Sequence, residues 1–341
     1  MSMRSWEASA VAACALLIGA GSALADPVED FYRGRTLTVY ISTEPGGGYD
    51  LYGRLFATHI GPHIPGKPAV VAKNMPGGGG LVMTNWLYGA APKDGSAVAG
   101  ATQALAIEQV LGSKGIQYDA QKFSWIGRMA PVVEVSYTWY TSPTKSFEDA
   151  RRRETVMGAT GPTSPTFTYL KQLNVLAGTK FKAITGFPGT TDANLAMERG
   201  EVEGTTKSWA SLKVDNAQWL AEKKINLLLQ YATERSPELP DVPLQVELGR
   251  TELDRAALRF LTAGNAMGRS IMGPPGIPPE RLAALRKAYL EMMTDPDFLA
   301  DATKRRIDIG ALSGERLQKL VEDTLAVSPD ALARVRQARG E

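Results

Sequence analysis

The sequence predicts an α/β protein with parallel sheets arranged in two lobes. The chain has 341 residues, which is enough for two domains that each bury a core. A strand, a glycine-rich turn and a helix follow one another several times, an order that is typical of parallel sheets. The same order begins again in the second half of the chain, which indicates the second lobe.

Two complete units define the first lobe. Residues 36–41 form the first predicted strand, and Pro-Gly-Gly-Gly at 45–48 breaks it. The next residues predict a helix that ends at Gly61-Pro62, with one apolar face made of Leu51, Leu55, Phe56 and Ile60. The second unit comprises a strand beginning at 69–72, a glycine-rich turn at 74–80, a helix carrying Met83, Trp86 and Leu87, and a following strand at 97–101.

The second lobe repeats this pattern with its own glycine-containing loops. Residues 155–159 predict a strand, residues 160–165 a loop, and residues 167–176 a helix. A strand at 181–184, a loop at 187–192 and a helix ending near Arg199 follow. Proline-rich connections lie at 236–243 and 274–279, and the second of them introduces C-terminal helices from Glu280 onward.

The first 25 residues resemble a secretory signal peptide. Arg4 precedes an apolar stretch from about residue 8 to residue 20, and Ala23-Leu24-Ala25 is a small-x-small cleavage site. A lipoprotein site at Cys14 is the alternative, but too little apolar sequence precedes this residue. The mature chain is therefore expected to begin near Asp26, without a cysteine, and to be soluble in the periplasm.

The overall charge indicates that any preference for anions is local. The chain has 38 basic and 36 acidic residues, a formal net charge of +2, so nothing points to nucleic acid or an anionic membrane. Glycines between a strand and a helix let backbone N–H groups converge beside a helix N-terminus, where anions bind. A single loop of this kind is usually an ordinary turn, but four in matching positions favour a binding site.

Nucleotide, metal and catalytic sites receive little support from the sequence. The loop at 77–80 lacks the glycine spacing of a dinucleotide fingerprint, and neither first-lobe loop ends in Gly-Lys-Ser/Thr. His59 and His63 are four residues apart, but Gly61-Pro62 separates them and no third histidine exists for zinc or for a general base. We therefore expect no cofactor, no metal and no enzymatic activity. Four acidic residues could supply a catalytic carboxylate pair, but they could equally be helix caps or surface charges. They are Asp50, Asp192, Glu198 and Glu203.

Lys207 is the one cation that the sequence singles out. It lies in Gly-Thr-Thr-Lys-Ser-Trp at 204–209, a predicted strand leading into a turn. If this strand reaches the cleft, Lys207 supplies a positive charge to a bound ligand. An exposed lysine without such a role is the alternative, and the sequence does not decide between the two.

Several motifs in order resemble the substrate-binding receptors of tripartite tricarboxylate transporters, also called Bug or TctC-type proteins. The resemblance covers essentially the whole mature chain. In the first lobe, Pro-Gly-Gly-Gly-Tyr-Asp at 45–50 is similar to Pro-Gly-Gly-x-x-Asp, Asn-Met-Pro-Gly-Gly-Gly-Gly at 74–80 to Asn-x-Pro-Gly-x-Gly-Gly, and residues 91–95 to Ala-x-Pro-Asp-Gly. In the second lobe, the similar segments are 158–165, 187–189, 200–203 and the Leu-Pro-Asp-Val-Pro signature within 235–243.

The resemblance implies a type II periplasmic-binding-protein fold whose two α/β lobes close on a ligand. It divides the chain into lobe 1 at 26–130 and 235–341 and lobe 2 at 131–234. It also implies that backbone N–H groups of two first-lobe loops hold a carboxylate. The site residues carried over by position are Gly47, Gly48, Asp50, Gly78 and Gly79, faced by Thr160, Thr163, Ser164 and Asp192, with Thr102 and Gln103 as further candidates.

Four residues depart from the family pattern and are expected to set ligand preference. They are Tyr49, Tyr52, Phe167 and Lys207. The implied function is a monomeric, non-enzymatic periplasmic receptor that delivers an organic acid, a dicarboxylate or an aromatic carboxylate, to the membrane subunits of a transporter. The alternatives are a ligand-sensing partner of a periplasmic sensor kinase and an exported hydrolase using Ser164 or Asp50.

Overall fold

The computed structural model describes residues 26–43, 45–46, 48–161 and 164–340. The predicted signal peptide at 1–25, with Cys14, lies outside the described residues, as do the predicted site residues Gly47 and Thr163. No helix in the described ranges combines the length and the apolar character needed to cross a membrane.

Helices and strands alternate along most of the chain. The strands are β1 (Thr36–Ile41), β2 (Ala69–Asn74), β3 (Ala97–Ala101), β4 (Ser124–Arg128), β5 (Glu134–Trp139), β6 (Thr155–Ala159), β7 (Phe181–Thr185), β8 (Gly204–Ser208), β9 (Ile225–Tyr231), β10 (Ser270–Gly273) and β11 (Leu312–Ser313). The helices are α1 (Pro27–Tyr32), α2 (Gly48–His59), α3 (Leu81–Gly89), α4 (Leu105–Leu111), α5 (Phe147–Arg152), α6 (Pro165–Leu176), α7 (Thr190–Glu198), α8 (Trp209–Asp215), α9 (Ala217–Ala221), α10 (Glu252–Met267), α11 (Pro279–Met292), α12 (Pro296–Lys304), α13 (Gly314–Leu325) and α14 (Pro329–Arg339).

The strands form two sheets, one for each lobe. The first sheet has the order β11-β4-β10-β3-β1-β2, and the second has the order β7-β6-β8-β5-β9. In the first sheet β1 runs parallel to β2 and β3, so the loops that follow β1 and β2 meet at one edge. In the second sheet β6 runs parallel to β7 and β8, which brings the loops after these strands together in the same way.

Both sheets are mixed, whereas the sequence pattern predicted parallel strands. β10 is antiparallel to β3 and β4, and β5 is antiparallel to β8 and β9. β5 directly follows the segment that crosses from the first sheet to the second, and β10 directly follows the return crossing. The sequence did not indicate these strands because they lack the glycine-rich turn before a helix that marks the parallel units.

Helix α2 shows how the predicted pattern becomes packing. Leu55, Phe56 and Ile60 are fully buried in the first core, as their helical spacing predicts. Burying a side chain such as Phe56 contributes roughly 1.5–3 kcal/mol to stability. Leu51 was also predicted on this face but is 36% exposed. It lies in the first turn of α2, where the helix emerges from the sheet edge beside the glycine-rich loop.

Helix α10 joins the two halves of the molecule. A capping box of Thr251 and Asp254 starts it, and Arg334 of α14 lies 2.7 Å from the Asp254 carboxylate. Leu258 of α10 and Val335 of α14 pack in one core with second-sheet residues. These helices follow residue 235, so packing of the second lobe includes later parts of the chain, and the boundaries at 131 and 235 stay a proposal.

Candidate functional site

The loop after β1 is fixed by the carboxylate of Asp50, which is 5% exposed. Asp50 accepts hydrogen bonds from the Gly46 N–H at 3.0 Å, from Arg54 Nε at 2.9 Å and from Asn74 Nδ2 at 2.8 Å. Burial acts to raise the pKa of Asp50, but these hydrogen bonds outweigh it and hold the pKa below its ordinary value. Asp50 is therefore an ionised organiser of the loop, and both of its oxygens already have protein donors.

Asn74 ties the first loop to the second. It ends β2 and donates through Nδ2 to the Thr43 carbonyl oxygen at 2.8 Å as well as to Asp50. The Gly-Gly-Gly-Gly run at 77–80 follows, with a positive φ at each of its four residues. Residues other than glycine rarely adopt a positive φ, so the loop depends on glycine. Within the described chain, the N–H groups of Gly78 and Gly79 have no protein acceptor.

Two hydroxyl groups beside these loops are sites that the sequence did not suggest. Ser42 and Thr43 follow β1 directly, and their hydroxyl oxygens are buried without a hydrogen-bond partner in the described residues. A Cβ at Gly80 would lie 2.6 Å from Thr102 Cγ2 and 3.3 Å from Ser42 Cβ, so Thr102 and Ser42 pack against the second loop. Their position at the carboxyl end of a parallel strand was the available signal.

Tyr49, Gln103 and Asn265 connect the first loop to the second lobe. The Tyr49 hydroxyl accepts from the Gln103 N–H at 2.9 Å and donates to Gln103 Oε1 at 3.2 Å. Gln103 Nε2 then donates to Asn265 Oδ1 at 3.2 Å, and the hydroxyl of Tyr169 in α6 donates to the same oxygen at 3.2 Å. Tyr169 also stacks on Tyr231, with ring centroids 4.4 Å apart. This network runs from lobe to lobe.

The hydroxyl groups of the second-lobe loop bond mainly to one another. Ser164 Oγ donates to the Gly161 carbonyl at 2.7 Å and lies 2.8 Å from Thr166 Oγ1. Thr166 Oγ1 accepts from the Thr160 N–H at 3.0 Å. Asp192 is exposed in the first turn of α7. The structure brings Thr160 and Ser164 together, and none of their side-chain hydrogen bonds to described residues reaches the first-lobe loops.

Lys207 lies in β8, where its ammonium group pairs with an acidic side chain of this chain. It pairs with Val135 across the β5–β8 ladder, so its side chain lies on the sheet face opposite to that of Glu134. Its ammonium group is 2.8 Å from Asp215 Oδ2 and 3.1 Å from Asn216 Oδ1, and the residue is 6% exposed. The sequence left open whether this lysine meets a ligand, and in the structure its charge is paired with Asp215.

Arg269 places a cation at the hinge, by which we mean the place where residues 129–130 and 268–269 of the two crossing segments meet. No sequence motif marks this arginine. Its backbone N–H donates to the Ala130 carbonyl at 2.8 Å, and its carbonyl accepts from the Met129 N–H at 2.9 Å. Gly268 makes this approach possible because a Cβ there would lie 2.1 Å from the Ala130 carbonyl oxygen. The Arg269 guanidinium carbon lies 4.0 Å from the Tyr49 ring centroid and 5.6 Å from that of Tyr52.

Glu134 is an acidic residue on which the charge of Arg269 acts, although it is not among the residues that line the cavities. It opens β5 directly after the first crossing segment and pairs across the ladder with Tyr231. Burial raises the pKa of Glu134 to about 7, and the positive charge of Arg269 opposes this rise. No ion pair within 4.0 Å joins Glu134 to Arg269. Sequence alone gave no signal for either residue, because their proximity depends on two crossing segments far apart in the chain.

Two cavities open on either side of Asn265. We call the first, of about 800 Å³, the loop-side cavity; its lining includes Gly78, Gly79, Thr102, Gln103, Phe167 and Tyr169. We call the second, of about 850 Å³, the hinge-side cavity; its lining includes Tyr52, Arg128, Val132, Trp209 and Arg269. Six of the predicted site residues thus line the cavities: Gly78, Gly79, Thr102, Gln103 and Phe167 on the loop side and Tyr52 on the hinge side. Such volumes fit small organic molecules.

Each of the two histidines lies beside a carboxylate near the start of α12 or within it. No group of three or more His, Cys, Asp or Glu residues in those ranges could hold a metal ion. His59 lies 3.0 Å from Asp301 and His63 lies 3.5 Å from Asp295, both on the side of α12. Neither histidine is among the hydrogen-bond partners of Ser164.

Solved structures share this fold. A crystal structure of a TctC solute-binding protein from Polaromonas has a TM-score of 0.68 and 19% identity, covering 90% of this chain and 99% of that one. An R. palustris protein with adipate has a TM-score of 0.62 and 19% identity, covering 90% and 97%. The periplasmic binding protein BugD has a TM-score of 0.62 and 19% identity, covering 90% and 98%.

Sequence comparison identifies the family. A search of curated proteins gave no significant match. The family model described as the tripartite tricarboxylate transporter family receptor, TctC, matches residues 63–335. The match includes the second glycine loop, the second-lobe loops and both crossing segments, and it begins after the first loop. The chain therefore belongs to the TctC family of tripartite tricarboxylate transporter receptors.

Proposed function

We propose that this protein is a periplasmic receptor that binds a small organic carboxylate between its lobes. One observation carries the proposal. The Asp50–Asn74 hydrogen bond holds two glycine-rich loops together at the carboxyl ends of β1 and β2, and the Gly78 and Gly79 N–H groups lack a protein acceptor in the described chain. Free N–H groups beside the start of α3 are suited to an anion.

The buried hydroxyl groups of Ser42 and Thr43 add two further donors to this anion site. Both are without a protein partner in the described ranges, and Ser42 is 2% exposed. A buried hydroxyl without a partner costs free energy that a bound carboxylate oxygen would recover. The adipate complex of the R. palustris relative is consistent with a carboxylate ligand in this fold.

Ligand capture follows from closure of the two lobes. A ligand that contacts the first-lobe loops and Phe167 or Tyr169 of α6 has its full set of contacts only when the lobes are together. Binding therefore shifts the population toward the closed form, and no covalent bond is made or broken. The closed form, a monomer, delivers its ligand to the membrane subunits of a tripartite transporter. Family members are binding receptors, which favours this role over a hydrolase.

A thermal-shift screen tests the ligand class. We expect carboxylates such as adipate to raise the Tm of the chain from Asp26 onward, because a ligand at 100 times its Kd stabilises the native state by about 2.7 kcal/mol. Glucose and leucine amide, which carry no carboxylate, serve as controls. Stabilisation by these controls with none by any carboxylate would refute the proposed function. Gly89→Ala, at an exposed glycine with nothing within 4 Å of an added Cβ, is the matched neutral variant.

A further inference from the structure

We propose that Arg269 forms a subsite for a second acidic group of the ligand. This inference rests on the proposed function, because it concerns the far end of the same ligand. It makes the preferred ligand a dianion with two carboxylates separated by a short chain. Arg269 does not belong to the glycine-rich motifs.

Arg269 is held as an anion anchor would be. Its guanidinium lies against the Tyr49 ring at 4.0 Å and near that of Tyr52 at 5.6 Å, contacts that fix the position of the group. Within the described ranges it makes no ion pair to a carboxylate closer than 4.0 Å. Its side chain lines the hinge-side cavity, where a ligand group has room to lie.

Arg269 also lies close enough to the first loop to share its ligand. A Cβ at Gly48 would be 2.9 Å from Arg269 Nη2, so the guanidinium borders the N-terminus of α2. Tyr49 stands between the two ends of the site, since its hydroxyl bonds Gln103 beside the second loop while its ring carries Arg269. One carboxylate on the glycine loops and another on Arg269 would therefore flank the Tyr49 side chain.

Glu134 is the group expected to respond to the charge of a bound ligand. Its charge interacts with Tyr49 from α2, Tyr137 from β5, Tyr169 from α6, Tyr231 from β9 and Arg269 from the hinge. Burial raises the pKa of all four tyrosines, so they stay neutral near pH 7 and Arg269 is the one charged group acting on Glu134. Burial also raises the pKa of Glu134 to about 7.

A ligand carboxylate on Arg269 would bring a second negative charge beside Glu134 and would raise its pKa further. At pH 8 the free protein holds Glu134 mainly ionised, so dianion binding is expected to take up a substantial fraction of one proton. At pH 6 Glu134 is already protonated and the uptake disappears. The affinity for a dianion therefore falls as the pH rises above 7, whereas the affinity for a monocarboxylate stays constant.

Isothermal titration calorimetry of the chain from Asp26 onward with adipate and hexanoate tests the subsite, because the two six-carbon acids differ by one carboxylate. Titration at pH 8 in two buffers of different ionisation enthalpy measures proton uptake. We expect uptake with adipate and none with hexanoate. Glu134→Gln should abolish the uptake and make the adipate affinity independent of pH.

Arg269→Gln should weaken adipate by at least about 30-fold, the loss typical of removing one partner of a buried charge pair, and should leave hexanoate nearly unchanged. Arg269→Lys should restore part of the adipate affinity, which shows that the fold is intact. Arg35→Gln is the control, since Arg35 makes a similar contact with Phe31 at 4.7 Å and is not among the residues lining either cavity.

Equal affinity for the two acids in the wild type, or a preference for adipate that Arg269→Gln retains, would overturn the subsite and leave the proposed function standing. Failure of adipate, hexanoate and every other carboxylate in the screen to bind would refute the proposed function itself. Preference for adipate that is lost in Arg269→Gln supports both.

Discussion

The two ends of the proposed cleft offer an anion different partners. At the loop end the partners are the backbone N–H groups of Gly78 and Gly79, and the charged residues Asp50 and Arg54 neutralise each other while they hold the loop. At the hinge end the partner is the side-chain charge of Arg269, which lies against the Tyr49 ring. A backbone site accepts any carboxylate, whereas a side-chain site adds selectivity, so the proposal places carboxylate capture and ligand preference in different parts of the molecule.

Gly268→Ala should have the largest effect on stability, because Gly268 lies where the segment that carries Arg269 packs against Ala130. Gly268 has φ +48°, and an added Cβ would lie 2.1 Å from the Ala130 carbonyl oxygen. Strain and the clash together should lower the free energy of unfolding by about 3 kcal/mol or more, measured by urea denaturation. Gly112→Ala is the control, since Gly112 has φ +72° with open space around it and should lose only about 1 kcal/mol. Similar losses in the two variants would contradict a tightly packed hinge.

Glu134→Gln should stabilise the unliganded protein above pH 7. The pKa of Glu134 is about 7 in the folded state against an ordinary value of 4.5, so its contribution to stability is present below pH 4.5 and is lost as the pH rises through 7. The neutral variant avoids this loss, which amounts to roughly 2–3 kcal/mol at pH 8. Tm measured from pH 5 to pH 8.5 should therefore fall less in the variant. Parallel pH curves for the two proteins would show that Glu134 titrates normally.

Lys207→Gln should have the smallest effect on ligand choice. The motifs suggested that Lys207 selects the acid, but its ammonium group is paired with Asp215 on the sheet face opposite to Glu134. We expect the ratio of adipate to hexanoate affinity to change by less than about twofold, with a modest loss of stability of about 1 kcal/mol from the broken pair. A large fall in that ratio would show that Lys207 does select between the acids.

The loop end could be predicted from the sequence because its requirements are local. Glycine is needed at each positive φ of residues 77–80, and this need leaves a visible run of letters. The parallel strands β1, β3 and β6 have the bounds that were predicted for the same reason, since each is followed by a turn. Ser42 and Thr43 were missed although they directly follow a predicted strand.

The hinge end could not be predicted because it is assembled from distant segments. Glu134 follows the first crossing and Arg269 the last, and Tyr49 lies on α2. Nothing local distinguishes Arg269 from the other arginines, and its neighbours become known only when β10 pairs with β3 and β4. Strands such as β5 and β9 were likewise missed because strand pairing, rather than a turn motif, defines them.

One comparison tests the division of the cleft most directly: the affinities of Asp50→Asn and Arg269→Gln for adipate and hexanoate. Asp50→Asn loosens the loop that receives the first carboxylate, so it should weaken both acids by a similar factor and leave their ratio unchanged. Arg269→Gln should reduce the ratio sharply while hexanoate affinity stays nearly constant. If both variants weaken the binding of the two acids by the same factor, the cleft has a single recognition site and its two ends do not have separate roles.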